Sequence, residues 1–197
     1  MFTWLPMAHL PNPPDVFVQQ AHDLAQQAHV PDTAKFISDD NYRNRLIRRR
    51  GNDVISRYQK GRDLGPEWAK WVGNNIIKNF IETGLRVSEP VSDTHGAHTD
   101  PFRKWKLYYL LERGGPSAVT CFYRQKGHDI VRDQSDNYIT CDNIDQLEII
   151  DQVQWPMKQW VLLNTMILHG VSNIQGYRYN LTVSIKPQDL RNFYIKD

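Results

Sequence analysis

Cysteine is scarce in this chain: there are 2 among 197 residues, Cys121 and Cys141. Two thiols cannot build a disulfide framework, so the fold has to come from a packed core, and a reducing cytoplasm is the expected setting. A dominant charge is lacking too. The 24 Lys and Arg against 22 Asp and Glu leave a formal net charge of +2, which argues against a nucleic-acid or membrane partner for the protein as a whole. No apolar run approaches membrane-spanning length. The opening MFTWLPMAHLPNPP, interrupted by prolines and without a basic start, does not read as a secretory signal. Internal repeats and low-complexity segments are also missing. What is present is 40% hydrophobic and 11% aromatic residues, the balance of a globular protein, in a length that suits one domain over 1–197.

The two parts of the chain differ in pattern. Residues 1–84 read as a mainly helical layer. After LPNPPD, Asp15 is placed to cap a helix through VFVQQAHDLAQQAHV, with Val16, Val18, Leu24 and Ala28 as a partial apolar stripe. A second helix is predicted over GPEWAKWVGNNIIKNFIE, with Pro66 in its first turn and Trp68, Trp71, Val72, Ile76 and Phe80 at helical spacing. From about residue 85, short runs rich in Val, Ile, Tyr and Trp alternate with turn clusters: KWKLYYLLE, AVTCFYR, NYITCD, QLEIID, QWVLLNTMILH and YRYNLTVSI. This spacing suits an antiparallel sandwich or barrel rather than alternating β-α units. The expected fold is therefore mostly β, a jelly-roll core over 85–197 with helices packed outside it.

Two segments carry chemistry. In HGAHTDPFRKWKLYYLL, His98 and Asp100 stand one residue apart at the mouth of a predicted strand. Such a pair is either half of a metal site or a polar turn. In WVLLNTMILHGVSNIQGYRYNLTVSIKP, a strand is expected to end at His169, followed by a loop with Asn173 and Gly176 and a second strand from about Tyr177 to Ile185. Strand periodicity puts Arg178, Asn180, Thr182 and Ser184 on one face and Tyr179, Leu181, Val183 and Ile185 on the other. A polar inner face in a sandwich is costly unless it lines a site, and the apolar face is then free to pack on the N-terminal helices. On the earlier strand Lys106, Tyr108 and Leu110 share one face, so two strands each offer a cation.

H-x-D, a distal His and an Arg nine residues beyond it, here His98, Asp100, His169 and Arg178, resemble the Fe(II)- and 2-oxoglutarate-dependent oxygenases over roughly residues 90 to 186. The resemblance implies a double-stranded β-helix (jelly-roll, cupin-like) core, with Fe(II), the cosubstrate 2-oxoglutarate, and dioxygen. It implies His98, Asp100 and His169 as the metal ligands, with no catalytic residue beyond them. Three ligands on one face of an octahedral ion leave positions for a chelating 2-oxo acid and dioxygen. Arg178 is the implied anchor of the far carboxylate, because a guanidinium can hold one bidentately. Asn180 stands where many relatives carry Ser or Thr, and can still donate. HTD…RKWKLYYLL and LHGVSN…YRYNLTVSI are similar to the aspartyl/asparaginyl β-hydroxylase branch and its phage and bacterial relatives, some of which lack the metal-binding carboxylate that Asp100 supplies here. By that likeness Lys106 and Tyr108 are assigned to 2-oxoglutarate contacts, and the implied reaction is hydroxylation of a C–H bond in a peptide or amino-acid side chain.

Other residues read more plainly. His95 is a fourth-ligand candidate weighed against a loop residue. His9, His22, His29 and His128 have no partner at ligand spacing and are expected at the surface, and Trp155 and Trp160, which bracket the strand leading to His169, are expected in the core rather than as a substrate platform. The basic stretch with Arg43, Arg45, Arg48, Arg49, Arg50, Arg57, Lys60 and Arg62 is by default a solvated helical face or loop; the sharper alternative is recruitment of an acidic substrate or nucleic acid. Two rival functions remain open at this point: a cupin-like metal protein with isomerase or lyase chemistry on His95, His98, Asp100 and His169, and a non-enzymatic β-barrel gripping nucleic acid through the arginines.

Overall fold

The computed structural model describes residues 2–28, 56–60, 64–88, 97–100, 105–127, 140–141 and 144–193. The described chain is mostly β, built from antiparallel strands in two sheets, with few helices. The first sheet has six strands in the order β1-β9-β5-β11-β3-β2: Trp4–Pro6, Trp160–Leu163, Trp105–Arg113, Arg178–Ile185, Glu82–Ser88 and Ser56–Lys60. The second has five in the order β7-β4-β10-β6-β8: Thr140–Cys141, Ala97–His98, Leu168–Ser172, Val119–Gln125 and Leu147–Val153. No helix among the described residues is long and apolar enough to cross a membrane.

The central strand β11 shows why the sequence folds this way. All eight of its residues are buried, although they alternate between polar and apolar. The apolar set Tyr179, Leu181, Val183 and Ile185 faces outward into a core shared with Leu85, Val87, Leu107 and Tyr109 and with the helices α1 (Asp15–Ala28) and α2 (Gly65–Asn75). Fully burying each such aliphatic side chain contributes about 1.5–3 kcal/mol. The polar set Arg178, Asn180, Thr182 and Ser184 is equally buried and faces the second sheet, as the Arg178 contact with Thr120 on β6 shows. A smaller apolar cluster between the sheets joins Tyr108, Leu110, Val161 and Leu163 of the first to Phe122 and Val153 of the second.

Several expectations need correcting. Residues 1–84, expected to be mainly helical, also contain β1 and β2, which add edge strands to the first sheet. The strand β2 falls in the basic stretch expected to be a helical face or loop; the rest of that stretch lies outside the described residues, as do His29, His95 and His128. In α1 the buried face is Phe17, Val18, Ala21, Leu24 and Ala25, and Val16 is 69% exposed. Asp15 lies within the first turn, and the Pro14 carbonyl accepts the first helical bonds. The helix α2 stops at Asn75 instead of running to Glu82. Asn74 and Asn75 are poor helix formers, and Glu82 already pairs with Ser184 as the start of β3. The run QWVLLNTMILH is two strands, not one: β9 ends at Leu163, Asn164 to Ile167 turn, and β10 starts at Leu168 in the other sheet.

Candidate metal centre

The turn after β9 assembles the site. It places His169 second in β10, directly opposite His98 of β4 in the antiparallel register, where facing side chains approach closely. The two imidazole centroids are 4.7 Å apart. The short strand β4 ends at His98, so Asp100 lies just beyond it and not on it; its backbone N–H donates to the Thr165 carbonyl at 2.9 Å. One ligand atom from each of His98, Asp100 and His169 lies within 4.8 Å of the others. The His98 Nε2 to Asp100 Oδ1 distance is 3.7 Å. The three predicted ligands therefore converge.

Their surroundings suit metal binding. His169 Nδ1 lies 2.9 Å from the Ile167 carbonyl; a proton there donates to that oxygen and leaves the Nε2 lone pair for an ion. Burial, helped by His98, pushes the His169 pKa down to about 3, so the ring is neutral and able to ligate near neutral pH. Burial pushes the Asp100 carboxyl up, but the Lys106 ammonium, with smaller pulls from His169, His98 and Arg86, holds it well below the usual carboxylate range. Its Oδ2 accepts from Lys106 Nζ at 3.1 Å. Lys106 is fully buried and sits on the Asp100 carboxylate, a position its expected cosubstrate role did not specify.

His169 also sets a pH dependence. Its folded pKa lies below its unfolded value, so between about 6.5 and about 3 the unfolded chain takes up a proton that the folded one refuses. The stability contribution is complete above 6.5 and drains away as pH falls through that window. Denaturant melts of metal-free protein between pH 7 and pH 4 should show a slope of up to about 1.4 kcal/mol per pH unit from this group, and His169→Gln should lack it.

Beside the three converging side chains lies a partly open pocket with a cavity volume of ≈ 30 Å³, walled by His98, His169, Tyr108, Trp155, Arg178 and Asn180, with Arg86 and Thr120 among its other neighbours. Arg178, 2% exposed, donates from Nη1 to the Arg113 carbonyl and from Nη2 to the Thr120 hydroxyl, both at 3.3 Å. Its guanidinium carbon lies 4.6 Å from the centre of the Trp155 ring. No carboxylate of the described residues pairs with it. Burial pushes its pKa down to about 10, so it stays charged at neutral pH. Tyr108 has Lys106 Nζ 5.5 Å from its ring centre and the Trp155 ring 4.8 Å away. Asn180, 2% exposed, has a side-chain oxygen without a partner among the described residues. Trp160 belongs to the core as expected, its indole bonded to the Pro11 carbonyl at 3.0 Å. His9 is exposed, and His22 is half-buried against Tyr179.

The turn that supports Arg178 depends on a glycine. Gly114 has φ +87, and a Cβ there would meet the Arg178 Cβ at 3.1 Å. Its carbonyl accepts from the backbone N–H groups of Gln175 and Gly176 at 2.8 and 2.9 Å, tying this turn to the loop that leads into β11. Gly114→Ala is expected to cost about 1–2 kcal/mol for the left-handed backbone and to displace Arg178. Thermal melts should record the first effect. A weakened grip on carboxylate ligands with unchanged metal affinity should record the second.

Trp155, expected in the core rather than as a substrate platform, is buried in the apolar cluster between the sheets and also walls the pocket. One functional candidate escaped the sequence reading. Arg86, on β3 opposite Asn180, lies on the inner face by strand alternation, but β3 straddles the expected boundary between helical layer and β core, which hid that alternation.

No protein-family model matches the chain, and no curated protein matches it. Solved structures resemble it at low identity. A Pseudomonas putida prolyl-4-hydroxylase shares 12% identity over 93% of this chain and 93% of its own, at a TM-score of 0.41. The non-heme monooxygenase ThoJ in a nickel complex shares 12% over 92% and 72%, at 0.43. The epimerase SnoN in complex with Fe3+, alpha ketoglutarate and nogalamycin RO shares 9% over 93% and 79%, at 0.41. The chemistry of this site is argued from its own residues.

Proposed function

We propose that this chain is an Fe(II)- and 2-oxoglutarate-dependent dioxygenase that hydroxylates a C–H bond of a peptide or amino-acid side chain. The observation that carries the reading is the shared pocket. Three ligand atoms of a His-Asp-His set converge at one end, and a buried guanidinium with no carboxylate partner among the described residues stands in the same wall. A cation kept out of water without a counter-charge is costly, and the far carboxylate of a 2-oxo diacid would supply that charge. The reading extends to the fold as a double-stranded β-helix. In its support, β1 and β2 flank the first sheet and β7 the second, leaving β9-β5-β11-β3 against β4-β10-β6-β8, two four-stranded sheets as in an eight-stranded jelly roll.

The residues present fit a ferrous ion, because two imidazoles and one carboxylate on one side leave the remaining positions open. A ferrous ion held there would supply the dioxygen chemistry that couples decarboxylation of 2-oxoglutarate to C–H hydroxylation. The chain's own part is positional. The Ile167 carbonyl fixes the tautomer of His169, and Lys106 occupies Asp100 Oδ2, leaving for the ion the oxygen that faces His98. Arg178 orients the diacid with its chelating end toward the ligands, while Tyr108, Trp155 and Leu163 keep bulk water from the space between. Anaerobic addition of Fe(II) and then 2-oxoglutarate tests the reading. A weak visible metal-to-ligand charge-transfer band is the expected result. A protein that binds iron and gives no such band with 2-oxoglutarate would instead be a cupin-like metal protein of another chemistry.

A further inference from the structure

Trp155 follows β8 and is only 3% exposed. Its backbone carbonyl accepts from Arg113 Nη2 at 3.2 Å, so Arg113 holds Trp155 with its guanidinium and Arg178 with its carbonyl. The indole lines the pocket, against Tyr108 on one side and the Arg178 guanidinium on another. Two polar atoms of this group are unaccounted for: Arg113 Nε and the indole nitrogen are both buried, with no hydrogen-bond partner among the described residues. Trp160, by contrast, gives its N–H to a backbone carbonyl. A buried indole N–H normally finds an acceptor, and leaving one unmade sacrifices the hydration it had in water. A pure packing role would be met as well by phenylalanine.

We infer that Trp155 is a ligand-binding residue, and that its indole N–H donates to the carboxylate that Arg178 holds. The two groups are neighbours in one wall. Arg178 already spends one N–H of each terminal nitrogen on Arg113 and Thr120, so a carboxylate anchored there has oxygen lone pairs that this guanidinium does not saturate. Trp155 thus makes the pocket selective for a 2-oxo diacid over a 2-oxo monoacid. The inference rests on the reading of the site as one that binds 2-oxoglutarate.

The test uses full-length protein loaded anaerobically with Fe(II), or with Zn(II) where spectra require a diamagnetic ion. Calorimetric titrations compare 2-oxoglutarate with 2-oxobutyrate, which keeps the chelating end and lacks the far carboxylate. Trp155→Phe should weaken 2-oxoglutarate binding about tenfold, the worth of one hydrogen bond to a charged acceptor, and leave 2-oxobutyrate binding unchanged. In the wild-type zinc protein, the indole N–H resonance identified by its contacts to the Tyr108 ring should shift with 2-oxoglutarate and not with 2-oxobutyrate. This second measurement does not depend on the variant folding. A wild type that binds 2-oxoglutarate, with Trp155→Phe and the indole resonance both indifferent to it, overturns the inference alone. Equal weakening toward both ligands also overturns it, since that marks a packing role. A metal-loaded wild type that binds neither acid overturns the inference together with the functional reading.

Discussion

Arg178→Ala should lower the affinity for 2-oxoglutarate by two orders of magnitude or more and leave ferrous-ion affinity without cosubstrate near wild type. Hydrogen bonds to a charged group are worth about 1.5–3 kcal/mol each, and a guanidinium offers a carboxylate two of them in parallel. Arg178 has no carboxylate partner among the described residues, so its removal strands no acid of theirs. It does leave an emptied space beside Trp155 and frees the Arg113 carbonyl and Thr120 hydroxyl, so a modest loss of melting temperature should accompany the binding defect. Arg178→Lys keeps the charge without the planar fork and should fall between the two. Binding of 2-oxoglutarate and binding of metal are measured separately. An unchanged Michaelis constant for 2-oxoglutarate in Arg178→Ala would remove this residue from the site.

The second large effect concerns Asp100. Asp100→Ala removes one ligand of the proposed ferrous ion and should abolish iron-dependent activity. Its position near a strand end suggests a replacement without cost to the fold, and the structure argues otherwise. The Lys106 ammonium, fully buried, pairs with this carboxylate at 3.1 Å. Removing one partner of a buried pair commonly costs about 3–5 kcal/mol. The metal-free Asp100→Ala protein should therefore be less stable than metal-free wild type, and Asp100→Ala combined with Lys106→Met should recover much of the loss without recovering metal binding. Equal stability of Asp100→Ala and wild type in denaturant would show that the pair contributes nothing.

The parts of the site legible in the sequence were those governed by short-range periodicity. Alternation along β11 placed Arg178 and Asn180 on the polar face and Leu181 and Val183 on the apolar one; the structure has the first pair in the pocket wall and the second in the core. The spacing of His98 and Asp100, with His169 and Arg178 farther on, marked residues that the structure brings together. Contacts between distant strands were not legible. Lys106 reads as a pocket cation, yet which acid it meets depends on how the segment around Asp100 folds back onto the Thr165 turn. Trp155 reads as core, and at 3% exposed it is a core residue; only its neighbours in the pocket wall set it apart. The missed turn at Asn164 and Thr165 has a similar cause. Both side chains are fully buried, and the continuous apolar character of QWVLLNTMILH hides a change of sheet.

The strand β4 is two residues long, and its pairing with β10 consists of His98 facing His169. An ion shared by these two rings would act as a rivet through the weakest seam of the second sheet, closing a chain loop that runs from residue 98 to residue 169. Clips that close long loops confine the unfolded chain most, and a ligand bound only by the native state stabilises it by mass action. Occupancy of the centre would then be felt as mechanical integrity of that sheet. A chelator would start unravelling the fold at β4 and at its other neighbour, β7, and amide exchange there should quicken first, before the β5-β11 interior loosens.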